Sequence, residues 1–455
     1  MIIFAECALT FEGWKQNVAV EVGKDGKIVA VTPHASADDA NIQVSCLLPA
    51  PVNVHSHAFQ RAMAGLTEQR GPAGSDSFWT WRKLMFRFLD QLRPEHVEAI
   101  TALVQMEMLE AGYATNVEFH YLHHQPGGVP YDDAAELSYR IVEASRKSGI
   151  GLTLLPVHYE FGGCDGRPLG DGQIRFGNNL DSFANIWERA VEAVGSLPAD
   201  ATSGVAPHSL RAIGPDALPK LAGLAANRPI HMHLAEQVAE VEEVQAHWGQ
   251  RPVEWLLDHA DPDNRWCLIH CTQMQPHETQ ALADSGAVAG LCPITESSLG
   301  DGIFDGVNWL AQNGQIAIGS DSNIRISLSE ELRTLEYSQR LRDRSRAALA
   351  TTEKSTGRRI YDAIASGGAK AAGRNTGSIE PGMWADLLSL DTGHPDFMNR
   401  TGDLILDGFL FSHDDRMVSN VWSAGRHLVH DGQHINRQPI MADYAKTMAD
   451  LVADL

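Results

Sequence analysis

The sequence predicts an α/β protein: a closed (β/α)8 barrel of parallel strands, with a small β-sandwich domain built from both chain ends. Three observations predict it. From Leu47 to Ser320 short apolar runs alternate with longer amphipathic stretches, the pattern of repeated strand–helix units in a parallel sheet. Eight such runs fall in that interval, the number that closes a barrel. The two ends of the chain read instead as short strands separated by turns.

Taken in order, residues 1–48 carry strands at Asn17–Val22 and Ile28–Thr32, with a turn at Gly23-Lys-Asp-Gly26. The eight barrel strands follow at Leu48–His55, Thr115–Tyr121, Gly151–Tyr159, Thr202–His208, Pro229–Leu234, Trp266–His270, Val288–Pro293 and Gln315–Ser320. Amphipathic stretches at Glu95–Ala111, Asp132–Ser148 and Asp181–Val194 supply helices between them. Two more helical stretches follow, Glu330–Ala350 and Arg358–Ala372. Gly377–Leu387 and Val418–Val429 then return to strand-like text and are expected to pair with the N-terminal strands. This places a discontinuous small domain at 1–48 and 377–436, the barrel at 49–376 and a C-terminal helix within 437–455. An open doubly wound sheet is the rival architecture, but no Gly-x-Gly-x-x-Gly follows the first strand.

The 455 residues are 44% hydrophobic and 21% charged, enough apolar material for a large core. A net charge of −22 argues against a nucleic-acid partner, which selects for a basic face. The six cysteines are scattered, with no C-x-x-C pair, and read as buried reduced thiols. The N-terminus lacks a basic segment, and no apolar run reaches the ~18 residues of a membrane span. A soluble, cytoplasmic protein is expected.

The strongest chemical signal is Pro51-Val-Asn-Val-His55-Ser-His57, an apolar strand ending in two histidines. Side chains at i and i+2 leave a strand on the same face, so both imidazoles converge. His233 ends the fifth run and Asp321 follows the eighth. In a barrel all four positions open into one mouth. Three neutral nitrogens and a carboxylate suit zinc, although iron or manganese could use the same ligands. Zinc lowers the pKa of a bound water toward neutrality.

Glu236 follows His233 by one short turn, and His270 ends the sixth strand facing the same mouth. With Asp321 they are the available proton carriers for hydrolysis at a C–N or C=N carbon. The chain holds 20 histidines, so most are not ligands. His231 points the same way as His233 but lies deeper, as a packed neighbour. His120, His123, His124 and His158 follow strands two and three and could line the mouth. His247, His259 and His277 read as solvated, and His394, His413, His427, His430 and His434 fall in the small domain. No lysine ends strand four, which argues against a carbamylated bridge, so the site reads as mononuclear.

His55-x-His57, His233-x-x-Glu236, His270, Asp321 and the later Pro381-Gly-x-x-Ala-Asp386 resemble the amidohydrolase superfamily in its mononuclear deaminase branch. Longer motifs are similar to one family within it, the formimidoylglutamate deiminases. They are the run from Pro51 to Thr67, Asp76-Ser-Phe-Trp-Thr-Trp-Arg82, Glu118-Phe-His-Tyr121-Leu-His-His124, Pro207-His-Ser-Leu-Arg211, His233-Leu-Ala-Glu-Gln237 and Leu299-Gly-Asp-Gly-Ile-Phe304.

The resemblance implies zinc-dependent hydrolysis of N-formimino-L-glutamate to N-formyl-L-glutamate and ammonia, with metal-activated hydroxide attacking the formimino carbon. It implies that Gln60, Arg82, Tyr121, His208 and Arg211 hold the substrate and that Glu236 and His270 assist proton transfer. Asp321 would bind the metal and accept the water proton, and a homodimer is expected. A dicarboxylate substrate agrees with the two arginines, because Arg–carboxylate pairs are often bidentate. Arg61 reads as structural, whereas Arg325 could approach the substrate or pair with Glu330 or Glu331. The rival readings are deamination of an amino-heterocycle and a non-catalytic zinc-binding barrel.

Overall fold

The computed structural model describes residues 1–68 and 78–453. Its centre is a ring of parallel strands, in the hydrogen-bonded order Ile230–Leu234, Trp266–His270, Val288–Leu291, Gln315–Ile318, Val52–Ser56, Thr115–His120, Gly151–His158 and Thr202–Ser203. Parallel bridges at Val205–Ile230 and Ser209–His233 bring the last strand round to the first. These strands are almost wholly buried, which is why they read as continuous apolar runs rather than alternating ones.

Two strands differ from the sequence expectation. The run Leu48–His55 is not one strand: Ile42–Pro49 pairs with Ile2–Thr10 and Leu387–Leu390 in the other sheet, and Val52–Ser56 opens the barrel. Ala50-Pro51 separates them, and Pro51 has no N–H to continue a ladder. The fourth barrel strand is broken at Gly204-Val205 into Thr202–Ser203 and Ala206–Pro207. A Cβ at Gly204 would lie 2.4 Å from the Pro229 carbonyl oxygen, so only glycine permits the strands to approach there.

The second sheet has eight strands, drawn from Ile2–Thr10, Gly13–Val22, Ile28–Thr32 and Ile42–Pro49 at one end and Leu387–Leu390, Val418–Ser423, Arg426–His430 and Gln433–His434 at the other. It is mostly antiparallel, and Ile3, Val20, Leu47, Leu387 and Trp422 share one apolar core. Strands Ile2–Thr10 and Ile42–Pro49 were not singled out in the sequence. The helix expected over Glu330–Ala350 runs Leu328–Asp343, ending at Arg344 in the left-handed region. A helix at Asp403–Phe411 and the C-terminal helix Arg437–Ala453 complete the return segment.

The two sheets are joined by a buried charge cluster that includes Asp386, the last residue of Pro381-Gly-x-x-Ala-Asp386. Arg374 donates to both carboxylate oxygens of Asp386, at 2.6 and 2.9 Å, and to Asp200 at 2.9 Å. Asp200, just before the fourth barrel strand, also accepts from Arg426 at 2.7 and 2.8 Å. Asp386 further accepts the Ala424 amide at 2.7 Å, tying the sheets at the end of the barrel opposite the strand C-termini.

Candidate metal centre and active-site cavity

The first barrel strand delivers His55 and His57 to the mouth. The eighth strand meets it through Gly319, where a Cβ would sit 2.7 Å from that of His55. Beyond it the chain turns sharply, with Asp321 at φ +48° and Asn323 at φ +55°. Non-glycine residues in this region cost free energy and persist where surrounding structure compels them. Here the Asp321 amide donates to the His55 carbonyl at 2.8 Å, and the His57 amide donates to the Asp321 carbonyl at 2.9 Å. Buried side chains clamp the turn: Asn53 bonds Ser320 at 2.7 Å, and Asn323 bonds Ser56 at 3.1 Å.

The result is a tight cluster. His233 Nε2 stands 3.1 Å from His55 Nε2, and Asp321 Oδ1 lies 3.5 and 3.4 Å from His55 Nε2 and His57 Nε2. Four ligand atoms about 2.0–2.1 Å from a central tetrahedral ion are about 3.3 Å apart. The observed separations match, so these residues fit a divalent cation. Donor chemistry agrees: His57 Nδ1 donates to the Phe119 carbonyl and His233 Nδ1 to the His208 carbonyl, each at 3.0 Å, which leaves Nε2 lone pairs facing inward. Burial drives the His55 pKa down to about 3 and lowers that of His57, keeping both neutral. Burial alone would raise Asp321, but its hydrogen bond to His55 and the surrounding imidazoles hold it below the usual carboxylate range.

Glu236 and His270 form the next layer. His270 Nε2 lies 3.9 Å from both Glu236 Oε1 and Asp321 Oδ2. Burial opposes charge on His270, yet Glu236, Glu296 and Asp321 together raise its pKa to about 10. Burial raises Glu236.

A cavity opens over this cluster, lined by His57, His233, Glu236, His270 and Asp321. Every residue assigned to the substrate by resemblance also lines it: Gln60, Arg82, Tyr121, His208 and Arg211. Gln60 donates to the Tyr121 hydroxyl at 2.8 Å. Arg211 is buried, 3.9 Å from Glu236. His208 bonds Ser209 through Nδ1, and burial with Arg211 nearby keeps it neutral. Arg82 donates to the Tyr159 hydroxyl at 2.8 Å, and Gln173 donates to the same oxygen at 2.7 Å. Of the motif ending at Arg82, Asp76 and Ser77 lie outside the described residues.

The other assignments sort by partner. His231 donates to the Ala371 carbonyl at 2.7 Å, as a packed neighbour. Arg61 is held bidentately by Glu107, and Arg325 pairs with Glu330. His120, His123, His124 and His158 do not line the cavity; His123 and His124 bond the Val157 and Gly177 carbonyls, and His158 bonds Asn178. Tyr159 lines it instead of His158, because adjacent strand residues face opposite sides. Tyr159 was legible as a strand end. Gln173 and Phe176, in the loop that follows, carry no periodic signal.

The amidohydrolase family model matches residues 46–428, which is most of the chain. The chain belongs to the amidohydrolase family. Residues 1–42 match the N-terminal domain of the formimidoylglutamate deiminase HutF. A formimidoylglutamate deiminase of Pseudomonas aeruginosa is 46% identical over 457 residues, covering 99% of both chains. The crystal structure of an amidohydrolase from Brucella melitensis superposes with a TM-score of 0.95 at 43% identity, over 99% of each chain. A zinc-bound adenosine deaminase from Xanthomonas campestris, 21% identical, shares the fold with a TM-score of 0.83 over 99% of this chain and 98% of its own. This amidohydrolase is accordingly a metal-dependent hydrolase acting on C–N bonds of a small molecule. No helix among the described residues is long and apolar enough to cross a membrane.

Proposed function

We propose that the protein is a zinc-dependent formimidoylglutamate deiminase, hydrolysing N-formimino-L-glutamate to N-formyl-L-glutamate and ammonia. One observation carries the substrate choice: two arginines, Arg82 and Arg211, face the same cavity as the His–Asp cluster. A planar heterocycle needs stacking faces and amide partners, whereas a dicarboxylate needs cations. The relative 46% identical over the whole chain supports the same reading.

In this reading His55, His57, His233 and Asp321 hold the zinc. When bound, the metal supplies Lewis acidity and a water acidified toward neutrality. The residues do the rest. Arg82 and Arg211 fix the two substrate carboxylates, while Gln60, Tyr121 and neutral His208 orient the formimino group. Asp321 takes a proton as water adds to the formimino carbon. Glu236 carries one proton to the imino nitrogen. The proton taken by Asp321 reaches the resulting amino nitrogen through His270, whose Nε2 faces both carboxylates, and the adduct's hydroxyl proton restores Glu236. The tetrahedral adduct collapses to a formyl carbonyl as its C–NH2 bond breaks and ammonia leaves. We further read the protein as a homodimer.

Incubating zinc-loaded protein with N-formimino-L-glutamate should release ammonia and N-formyl-L-glutamate in equal amounts, the organic product identified by mass. Formamide and glutamate, or turnover only of an amino-heterocycle, would replace this reading. Arg82→Met and Arg211→Met should each raise KM by about 10- to 100-fold, the weight of hydrogen bonds to a charged group. Unchanged KM in both variants would remove the dicarboxylate assignment.

A further inference from the structure

We propose that Glu296 is a positioning residue for His270, holding a proton on ring nitrogen Nδ1 so that Nε2 is the nitrogen that exchanges protons with the reacting groups. Glu296 was not singled out in the sequence. It sits one turn into the short helix Pro293–Leu299 that follows the seventh barrel strand, and it is buried without lining the cavity. Its Oε1 lies 3.2 Å from His270 Nδ1 and accepts the Cys292 amide at 2.8 Å. The backbone bond fixes the carboxylate, and the carboxylate fixes the ring.

An ionised carboxylate only accepts, so the ring nitrogen facing it must donate. A protonated ring donates from both nitrogens, and once Nε2 has given up its proton the neutral imidazole carries one N–H. Placing it on Nδ1 leaves the lone pair on Nε2, which points between Glu236 and Asp321 at 3.9 Å from each. Without Glu296 the other tautomer becomes accessible. Its lone pair would face the protein wall, and Nε2 could no longer accept a proton from the chamber. His57 and His233 are set in the Nδ1–H form by backbone carbonyls. His270 differs in using a carboxylate, which also stabilises the ring once Nε2 has gained a proton. The proton traffic balances: one proton enters or leaves at Nε2, and the Nδ1 proton stays in its bond to Glu296.

The proposal uses the deimination reading only for its assay substrate. Steady-state kinetics and metal content would be measured for Glu296→Gln, Glu296→Leu, His270→Ala and the Glu296→Leu/His270→Ala pair. Glu296→Leu should lower kcat by about 10- to 100-fold while KM moves less than about 3-fold and the metal is retained. Glu296→Gln keeps a carbonyl acceptor and should recover most of that loss. In the His270→Ala background, Glu296→Leu should cost less than about 2-fold more, because both changes remove one device. In the unmodified protein labelled with 15N-histidine, one exchange-protected Nδ1–H signal should vanish in His270→Ala. Multiplying effects in the double variant, a Gln variant no better than Leu, or a His270 Nδ1 without a proton would each overturn the proposal. The spectrum of the unmodified protein decides it even if the Leu variant misfolds. Absence of turnover by the unmodified enzyme would discard the substrate, and the spectrum would still judge Glu296.

Discussion

Asp321→Asn is expected to lower turnover by at least about 10³-fold, the upper part of the range for a lost general base, compounded by a weakened ligand set. Asparagine is the informative substitution because Asp321 sits at φ +48°, a conformation that asparagine tolerates better than alanine. The turn through Ser320 and Asn323 should therefore survive, and with it the fold. What changes is the charge between His55 and His57 and the capacity to take a proton. Metal content by atomic emission and kcat on the same sample separate the two effects. Loss of both identifies a ligand, and loss of kcat with metal retained identifies the proton acceptor. A variant holding stoichiometric metal with more than about a tenth of the turnover would remove Asp321 from the chemistry.

Arg374→Met should destabilise the protein by about 3–5 kcal/mol, the usual cost of taking one partner from a buried ion cluster. Arg374 is only 6% exposed and reaches Asp386 and Asp200, so methionine would leave Asp386 buried without its cationic partner. The measurement is urea unfolding at neutral pH, followed by tryptophan fluorescence. A loss below about 1 kcal/mol would mean the cluster orients the sheets without stabilising them. The same cluster sets an acid limit. Burial would raise the Asp200 pKa, but Arg426 and Arg374 outweigh it and hold the carboxyl below its ordinary value. A depressed folded-state pKa gives stability that is fully present above the unfolded value of about 3.9 and is lost as pH falls through the folded value. Unfolding free energy should therefore drop below about pH 4, and Asp200→Asn should flatten that limb.

The His–Asp cluster was legible because its signal is local. His55-x-His57 needs only the alternation of a strand, and His233, His270 and Asp321 each fall where an apolar run stops. A barrel turns that coincidence into convergence, since strand C-termini share one mouth. The arginines were harder. Arg211 lies close to the end of strand four, but Arg82 lies on the helix Phe78–Leu89, and only the fold carries that helix over the cavity. His158 and Tyr159 show where local reading stops. His158 ends the third strand and Tyr159 follows it, and which one faces inward depends on how the strand is rotated within the ring.

By itself, then, the sequence determined the strand–helix rhythm, the barrel, a small β domain drawn from both ends (expected as a sandwich, found as one eight-stranded sheet) and the histidines and aspartate that converge at the barrel mouth, because each rests on local patterning. The tertiary structure alone decided the partners that lie far apart in the chain. It divided the apolar run at Ala50-Pro51 between two sheets, because hydrogen-bond partners leave no mark on hydrophobic periodicity. It set Tyr159 and Gln173 beside Arg82, Glu296 behind His270 and Arg374 between two aspartates. Each of those pairings joins different elements, and only the packed barrel brings them within hydrogen-bond reach.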